Sequence, residues 1–121
     1  TDEVHGMRYP IWLVAFALIA VVACGGGRAP SAGQSIAVTV KEWTITPAKL
    51  AAKAGPATFQ VKNGGSIEHD LAIEGVGKVD TIGAGDSKAL SVTLTPGTYT
   101  ILCTLSGHKE AGMHGTLVVS P

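Results

Sequence analysis

The chain is short of aromatic and charged residues. Of its 121 residues only 5% are Phe, Trp or Tyr and 15% are Asp, Glu, Lys or Arg. Nine Lys and Arg balance nine Asp and Glu, so the formal net charge is zero, and no basic cluster interrupts that balance. A phosphate backbone is held by concentrated cationic side chains, so nucleic acid is excluded as the main partner. There are two cysteines, Cys24 and Cys103, too few for a disulfide framework. The length allows one domain with at most a small appendage. Gly is plentiful, at 16 residues, and long stretches of helix formers are scarce, which points to a turn-rich β protein.

The 45% hydrophobic content is unevenly spread. Ile11 to Ala23 (IWLVAFALIAVVA) carries no charge, follows Met7-Arg8 and ends on a small residue before Cys24. A short basic region, an apolar core and a small residue before the cut are the elements of an export signal. The Cys directly after Ala23 resembles the end of a bacterial lipoprotein signal, which makes Cys24 the candidate lipid attachment site. On this reading Thr1 to Gly6 lie upstream of the start. An uncleaved anchor stays open, although the 14 residues from Ile11 to Cys24 fall short of the ~20 that a spanning helix needs. Both readings put the remainder outside the cytoplasm, held at the membrane. Residues 24–34, rich in Gly, Ala, Pro and Ser, read as a flexible tether. The expected organisation is therefore 1–23 signal or anchor, 24–34 tether and 35–121 a folded domain.

From Ser35 onward the apolar residues alternate with period two. Ile36, Val38 and Val40 form one such set, Phe59 and Val61 another, then Leu90, Val92 and Leu94, and then Tyr99, Ile101 and Cys103. Asn63-Gly64-Gly65, Gly83-Ala84-Gly85-Asp86 and Pro96-Gly97 punctuate them as turns. Seven or eight short strands with no convincing helix predict two sheets packed face to face. The expected core is aliphatic, with Trp43, Phe59 and Tyr99 as its aromatics. A domain this small is marginal without a staple, and the only candidate staple is a metal.

The chemistry lies near the C-terminus. Cys103 ends a strand, His108 follows five residues on and Met113 five further, with His69 upstream before the apolar stretch Asp70-Leu71-Ala72-Ile73-Glu74. Two imidazoles, a thiolate and a thioether are the donor set of a mononuclear blue-copper site. Thiolate and thioether favour Cu(I), and imidazole suits both oxidation states. Taken singly, a buried thiol, a structural His, a surface His and a core Met would each be ordinary. Their joint occurrence in this order carries the metal assignment.

In these residues the chain resembles the cupredoxins, with support from Pro96-Gly97-x-Tyr99 before the ligand loop and Gly115-x-Leu117 after it. The Cys-x4-His-x4-Met spacing looks most like that of the auracyanins. The resemblance covers about Ile36 to Ser120. It implies an all-β, two-sheet Greek-key sandwich, and one copper held by His69, Cys103, His108 and Met113. It also implies a hydrogen-bonded tie between Asp70 and Thr104, the residues that follow two of the ligands. The Asp carboxylate departs from the Asn common there, and its charge is expected to favour Cu(II) and lower the potential. His114 and Glu68 are expected to be exposed, and Trp43 and Tyr99 to pack in the core.

The resulting expectation is a one-electron carrier. His108 should be the more exposed ligand, inside a docking patch of Leu105, Gly107, Ala111 and Gly112, with Lys109 and Glu110 at its edge. Expected partners are c-type cytochromes, a quinol-oxidising complex, and a reaction centre or terminal oxidase. The chain is expected to be a monomer. The alternative is a periplasmic copper chaperone or store, which the absence of a Met cluster or a second site Cys disfavours. Catalysis is not expected, because only His5 and His114 remain for further coppers.

Overall fold

The computed structural model describes residues 33–121, and the predicted signal or anchor, Cys24 and most of the tether lie outside those residues. No helix among the described residues is long and apolar enough to cross a membrane.

Alternation sets the strands. In β1 (Gln34–Lys41) Val38 and Val40 face inward while Thr39 and Lys41 do not, and in β4 (Gly55–Asn63) Ala57, Phe59, Val61 and Asn63 share the buried face. Between them lie β2 (Thr44–Thr46) and β3 (Lys49–Lys53). After β4 come β5 (His69–Ile73), β6 (Gly77–Ile82), β7 (Ser87–Leu94), β8 (Gly97–Leu102) and β9 (His114–Ser120).

One sheet has the order β2-β1-β4-β7 and the other β3-β9-β8-β5-β6. β1 pairs with β4, and β3 with β9, in parallel; the remaining ladders are antiparallel. The expected all-β two-sheet sandwich is therefore present, with nine strands among the described residues rather than seven or eight. The extra strand arises at Pro47. β2 pairs with β1 in the first sheet, whereas β3 crosses to the second and pairs with β9. Each piece is too short for periodicity alone to separate them.

Phe59, Leu71, Ile73, Ile82, Ile101 and Leu117 are fully buried where the inner faces meet. Truncation of such a ring, as in Phe59→Ala, costs about 3–5 kcal/mol through lost burial and the cavity left behind. Of the expected core aromatics only Phe59 is fully inside. Tyr99 packs partly buried against the core, and its hydroxyl donates to the Thr95 carbonyl at 2.7 Å. Trp43 corrects the expectation, since it is 48% exposed at the β1–β2 turn. A two-residue turn between Lys41 and Thr44, which pair directly, leaves its side chain no route into the sandwich.

Candidate metal centre

β5 is covered on both sides by β8 and β6, and His69, Asp70 and Leu71 are all fully buried. A register shift between His69 and Leu71 against β6 breaks the regular pleat there. His69 thus opens β5 at the end of the sandwich from which the β8–β9 loop emerges. That loop begins at Cys103, directly after β8, and returns at Met113, directly before β9. The Cys103 amide donates to the Met113 carbonyl at 3.0 Å, closing the loop's mouth. Inside the loop His108 N–H bonds Leu105 O at 3.0 Å and Met113 N–H bonds His108 O at 3.1 Å, so the imidazole is carried on a tightly wound scaffold. Gly107 and Gly112 have φ of 80° and 123°, conformations that exclude most side chains and let the loop turn back so sharply.

The donor atoms converge. His69 Nδ1 lies 3.2 Å from His108 Nδ1, and Cys103 Sγ lies 3.5 Å from that same nitrogen. Side-chain donor atoms of His69, Cys103 and His108 all fall within 4.8 Å of one another, a group that could hold a metal ion. Separations of 3.2 and 3.5 Å fit donors that each stand about 2.0–2.3 Å from one shared first-row ion. Met113 is fully buried at the end of the same loop. His69 and Cys103 are buried and His108 is half-buried, its ring edge-on to Trp43 with centroids 5.3 Å apart. Burial first, and the nearby Asp70 charge, push the Cys103 thiol above its ordinary value.

Asp70 and Thr104 are joined. The Thr104 amide donates to Asp70 Oδ1 at 2.6 Å, and its hydroxyl donates to Oδ2. The β5–β8 ladder stops at Ala72 and Leu102, and the Asp70 side chain continues that linkage two register positions further toward the site, at Thr104. Lys78 Nζ stands 3.2 Å from the same carboxylate. Burial would raise the Asp70 pKa, but the Thr104 hydroxyl and amide and Lys78 together outweigh it and hold the carboxyl below its ordinary value. Gly107, Ala111 and Gly112 are exposed beside His108, Leu105 is half-buried against the core, and Lys109, Glu110 and His114 are exposed, as is Glu68.

Three residues of this region escaped the sequence reading. Glu42, on the β1–β2 turn, places Oε1 3.2 Å from His69 Nε2. Asn63, read only as a strand break, is fully buried. Its Nδ2 donates to Ile67 O and Ile82 O, both at 2.8 Å, and its Oδ1 accepts from Gly65 N at 2.9 Å. It therefore shapes the loop that delivers His69. Lys78 is the third. The Asn63-Gly64-Gly65 run signals the local part of Asn63's role, its bonds to Gly65 and Ile67, but its reach to Ile82, Glu42's to His69 and Lys78's to Asp70 cross separations that only the fold closes.

A two-sheet sandwich with a His, Cys, His group at the mouth of its last hairpin is the arrangement of a cupredoxin. The family model for the cupredoxin-like domain matches residues 13–119, and the chain belongs to that family. Within it the chain is similar to auracyanin-B of Chloroflexus aurantiacus, at 49% identity over 41 residues. That match covers 33% of this chain and 17% of the auracyanin-B chain, so it spans a small part of that relative's length. By fold it matches the dithionite-reduced auracyanin of Roseiflexus castenholzii with a TM-score of 0.69 and 21% identity, over 74% of this chain and 98% of that one. It also matches a blue copper oxidase from Nitrosomonas europaea with a TM-score of 0.65 and 17% identity, over 74% of this chain and 39% of that one. At these identities the structural likeness speaks to the fold.

Proposed function

We propose that this protein is a one-electron carrier working outside the cytoplasm and tethered to a membrane, with His69, Cys103, His108 and Met113 as the ligands of a single copper. The observation that carries this reading is the convergence of two imidazoles and one thiol at the mouth of the β8–β9 loop. Bound copper supplies a one-electron couple, and thiolate, imidazole and thioether together suit both of its oxidation states. The chain's own contribution is a stiff frame. The Cys103–Met113 backbone bond and the Asp70–Thr104 tie hold the ligand-bearing segments in place, so little has to move when charge changes.

Electrons are proposed to pass through His108. Around it stand Leu105, Gly107, Ala111 and Gly112, small or apolar and uncharged, with Lys109 and Glu110 beside them. Such a face suits the weak and small contacts of transient redox docking. Anchoring through Cys24 or an uncleaved apolar segment would raise the local concentration near membrane-bound donors and acceptors. Suitable partners are c-type cytochromes, a quinol-oxidising complex, and a reaction centre or terminal oxidase. No catalytic turnover is assigned to this chain.

The test is the visible and EPR spectrum of the copper-loaded chain. Intense thiolate-to-copper absorption near about 600 nm, lost in Cys103→Ser with the fold retained, supports the carrier. A colourless copper(I) protein that never oxidises would favour a store or chaperone instead.

A further inference from the structure

Glu42 has no part in the four-residue ligand set, yet the loop before His69 is built around its carboxylate. Oε1 accepts from the Ser66 amide at 2.7 Å and the Ile67 amide at 3.1 Å, and the same oxygen stands 3.2 Å from His69 Nε2. Gly65 leaves the space the carboxylate fills, because a Cβ there would overlap it. The turn carrying Glu42 is itself constrained. Its other residue, Trp43, holds a φ of 63°, sparsely populated for a bulky side chain, while its ring bears on His108 and its carbonyl lies against Gly112. A strained residue persists only where its surroundings over-determine it.

We propose that Glu42 is a positioning residue for His69, holding the imidazole as the Nε2–H tautomer with its Nδ1 lone pair presented to the metal. The proposal deepens the blue-copper reading and rests on it for the identity of the metal. A carboxylate only accepts hydrogen bonds, so the ring nitrogen facing it must be the one that carries hydrogen. In the neutral ring the other nitrogen, Nδ1, is then free to donate its lone pair, and it is Nδ1 that points toward His108 and Cys103. An outer carboxylate on a ligating His fixes the ring's orientation and raises its basicity as a ligand. A pure loop anchor would need only the Ser66 and Ile67 amides. The contact of the same oxygen with the fully buried His69 ring is what assigns the further role.

The experiment uses the full chain labelled with 15N-histidine, metal-free, and reads the His69 tautomer from long-range 1H–15N spectra. Two variants are compared. Glu42→Ala removes the acceptor. Gly65→Ala keeps Glu42 but displaces its carboxylate, and because the displaced atom is the far end of a flexible side chain the fold should survive. The wild-type chain is expected to show the Nε2–H form alone. Both variants are expected to show a mixture with the Nδ1–H form, and to bind copper(II) about 10–100-fold more weakly. A merely structural role would lower thermal stability and leave the tautomer unchanged. Retention of the pure Nε2–H form in both variants overturns the proposal. A wild-type chain with that tautomer, lost in both variants, but with no thiolate absorption on copper(II) addition overturns the electron-carrier reading while upholding Glu42's hold on the ring.

Discussion

Asp70 and Thr104 lie 34 residues apart, and Thr104 donates two hydrogen bonds to the Asp70 carboxylate, one from its amide and one from its hydroxyl. This pair links the strand that begins at His69 to the loop that begins at Cys103. It also places a fully buried negative charge beside His69 and Cys103, partly offset by Lys78.

Asp70→Asn is expected to raise the reduction potential of the copper-loaded protein. The Asn oxygen can keep the bond from the Thr104 amide and its NH2 can donate to the Thr104 hydroxyl, but the charge that favours the more positive ion is gone. At an effective dielectric near 20 the change is on the order of 1 kcal/mol, or about 40 mV for one electron. Lys78→Met should move the potential the opposite way and by less, because Lys78 is about half exposed. Voltammetry of both variants checks the pair of signs, and an unchanged potential in Asp70→Asn sinks the electrostatic argument.

Asn63→Ala should destabilise the fold by about 2–3 kcal/mol, since it strips hydrogen bonds from two carbonyls and one amide, one of them in the sandwich interior. Asn63→Asp should be no better, because an acceptor-only carboxylate would face the Ile67 and Ile82 carbonyls. Urea unfolding with an unchanged slope tests this, and a loss under about 0.5 kcal/mol would refute it.

Gly112→Ala should also destabilise. The residue's φ of 123° is hostile to a side chain, and the new Cβ would sit 2.8 Å from the Trp43 carbonyl. Strain of this kind costs about 1–3 kcal/mol. A urea midpoint equal to that of the wild type would contradict it.

Acid should weaken the metal-free fold through Glu42. The Ile67 amide is the main cause, and with the Ser66 amide and His69 it outweighs a desolvation effect of opposite sign, bringing the Glu42 pKa down from 4.5 to about 2. A carboxyl depressed in the folded state contributes stability that is fully present above 4.5 and is lost as pH falls toward about 2. Asp70, also held below its ordinary value, acts in the same direction. In metal-free Glu42→Gln the stability deficit relative to wild type should therefore be largest near neutrality and shrink across that window. A deficit independent of pH would be evidence against the carboxylate's part in it.

Copper uptake should release a proton. The Cys103 thiol, raised by burial, is protonated at neutral pH in the metal-free chain, and the metal binds the thiolate. Apparent affinity should fall about tenfold per pH unit below the thiol's pKa. Bound copper should in turn stabilise the fold by about 4 kcal/mol at a thousandfold excess over Kd, and so raise the thermal midpoint. Competition titrations at two pH values and thermal melts with and without copper read both effects.

The candidate group His69, Cys103 and His108 is legible in the sequence, because these side chains have distinctive chemistry in a fixed order, and the structure brings their donor atoms together. Cys103 and His108 lie with Met113 within one short loop whose geometry its own backbone bonds set. The alternation of Val38, Val40, Phe59, Val61 and Ile101 likewise announced a sandwich, because strand periodicity is local. Trp43 departs from the core expectation because apolar character alone does not say which side of a two-residue turn a ring will occupy.

The sequence by itself determined the fold class, the four candidate ligands and the neutral character of the loop around His108, since these follow from residue type, spacing and period two. Only the tertiary structure decided which distant groups serve those ligands. Glu42 reaches His69 across 27 residues, Asn63 reaches Ile82 across 19, and Lys78 meets Asp70 from the neighbouring strand. Such contacts have no sequence period. They exist because strand pairing and sheet packing bring together segments whose separation along the chain carries no signal.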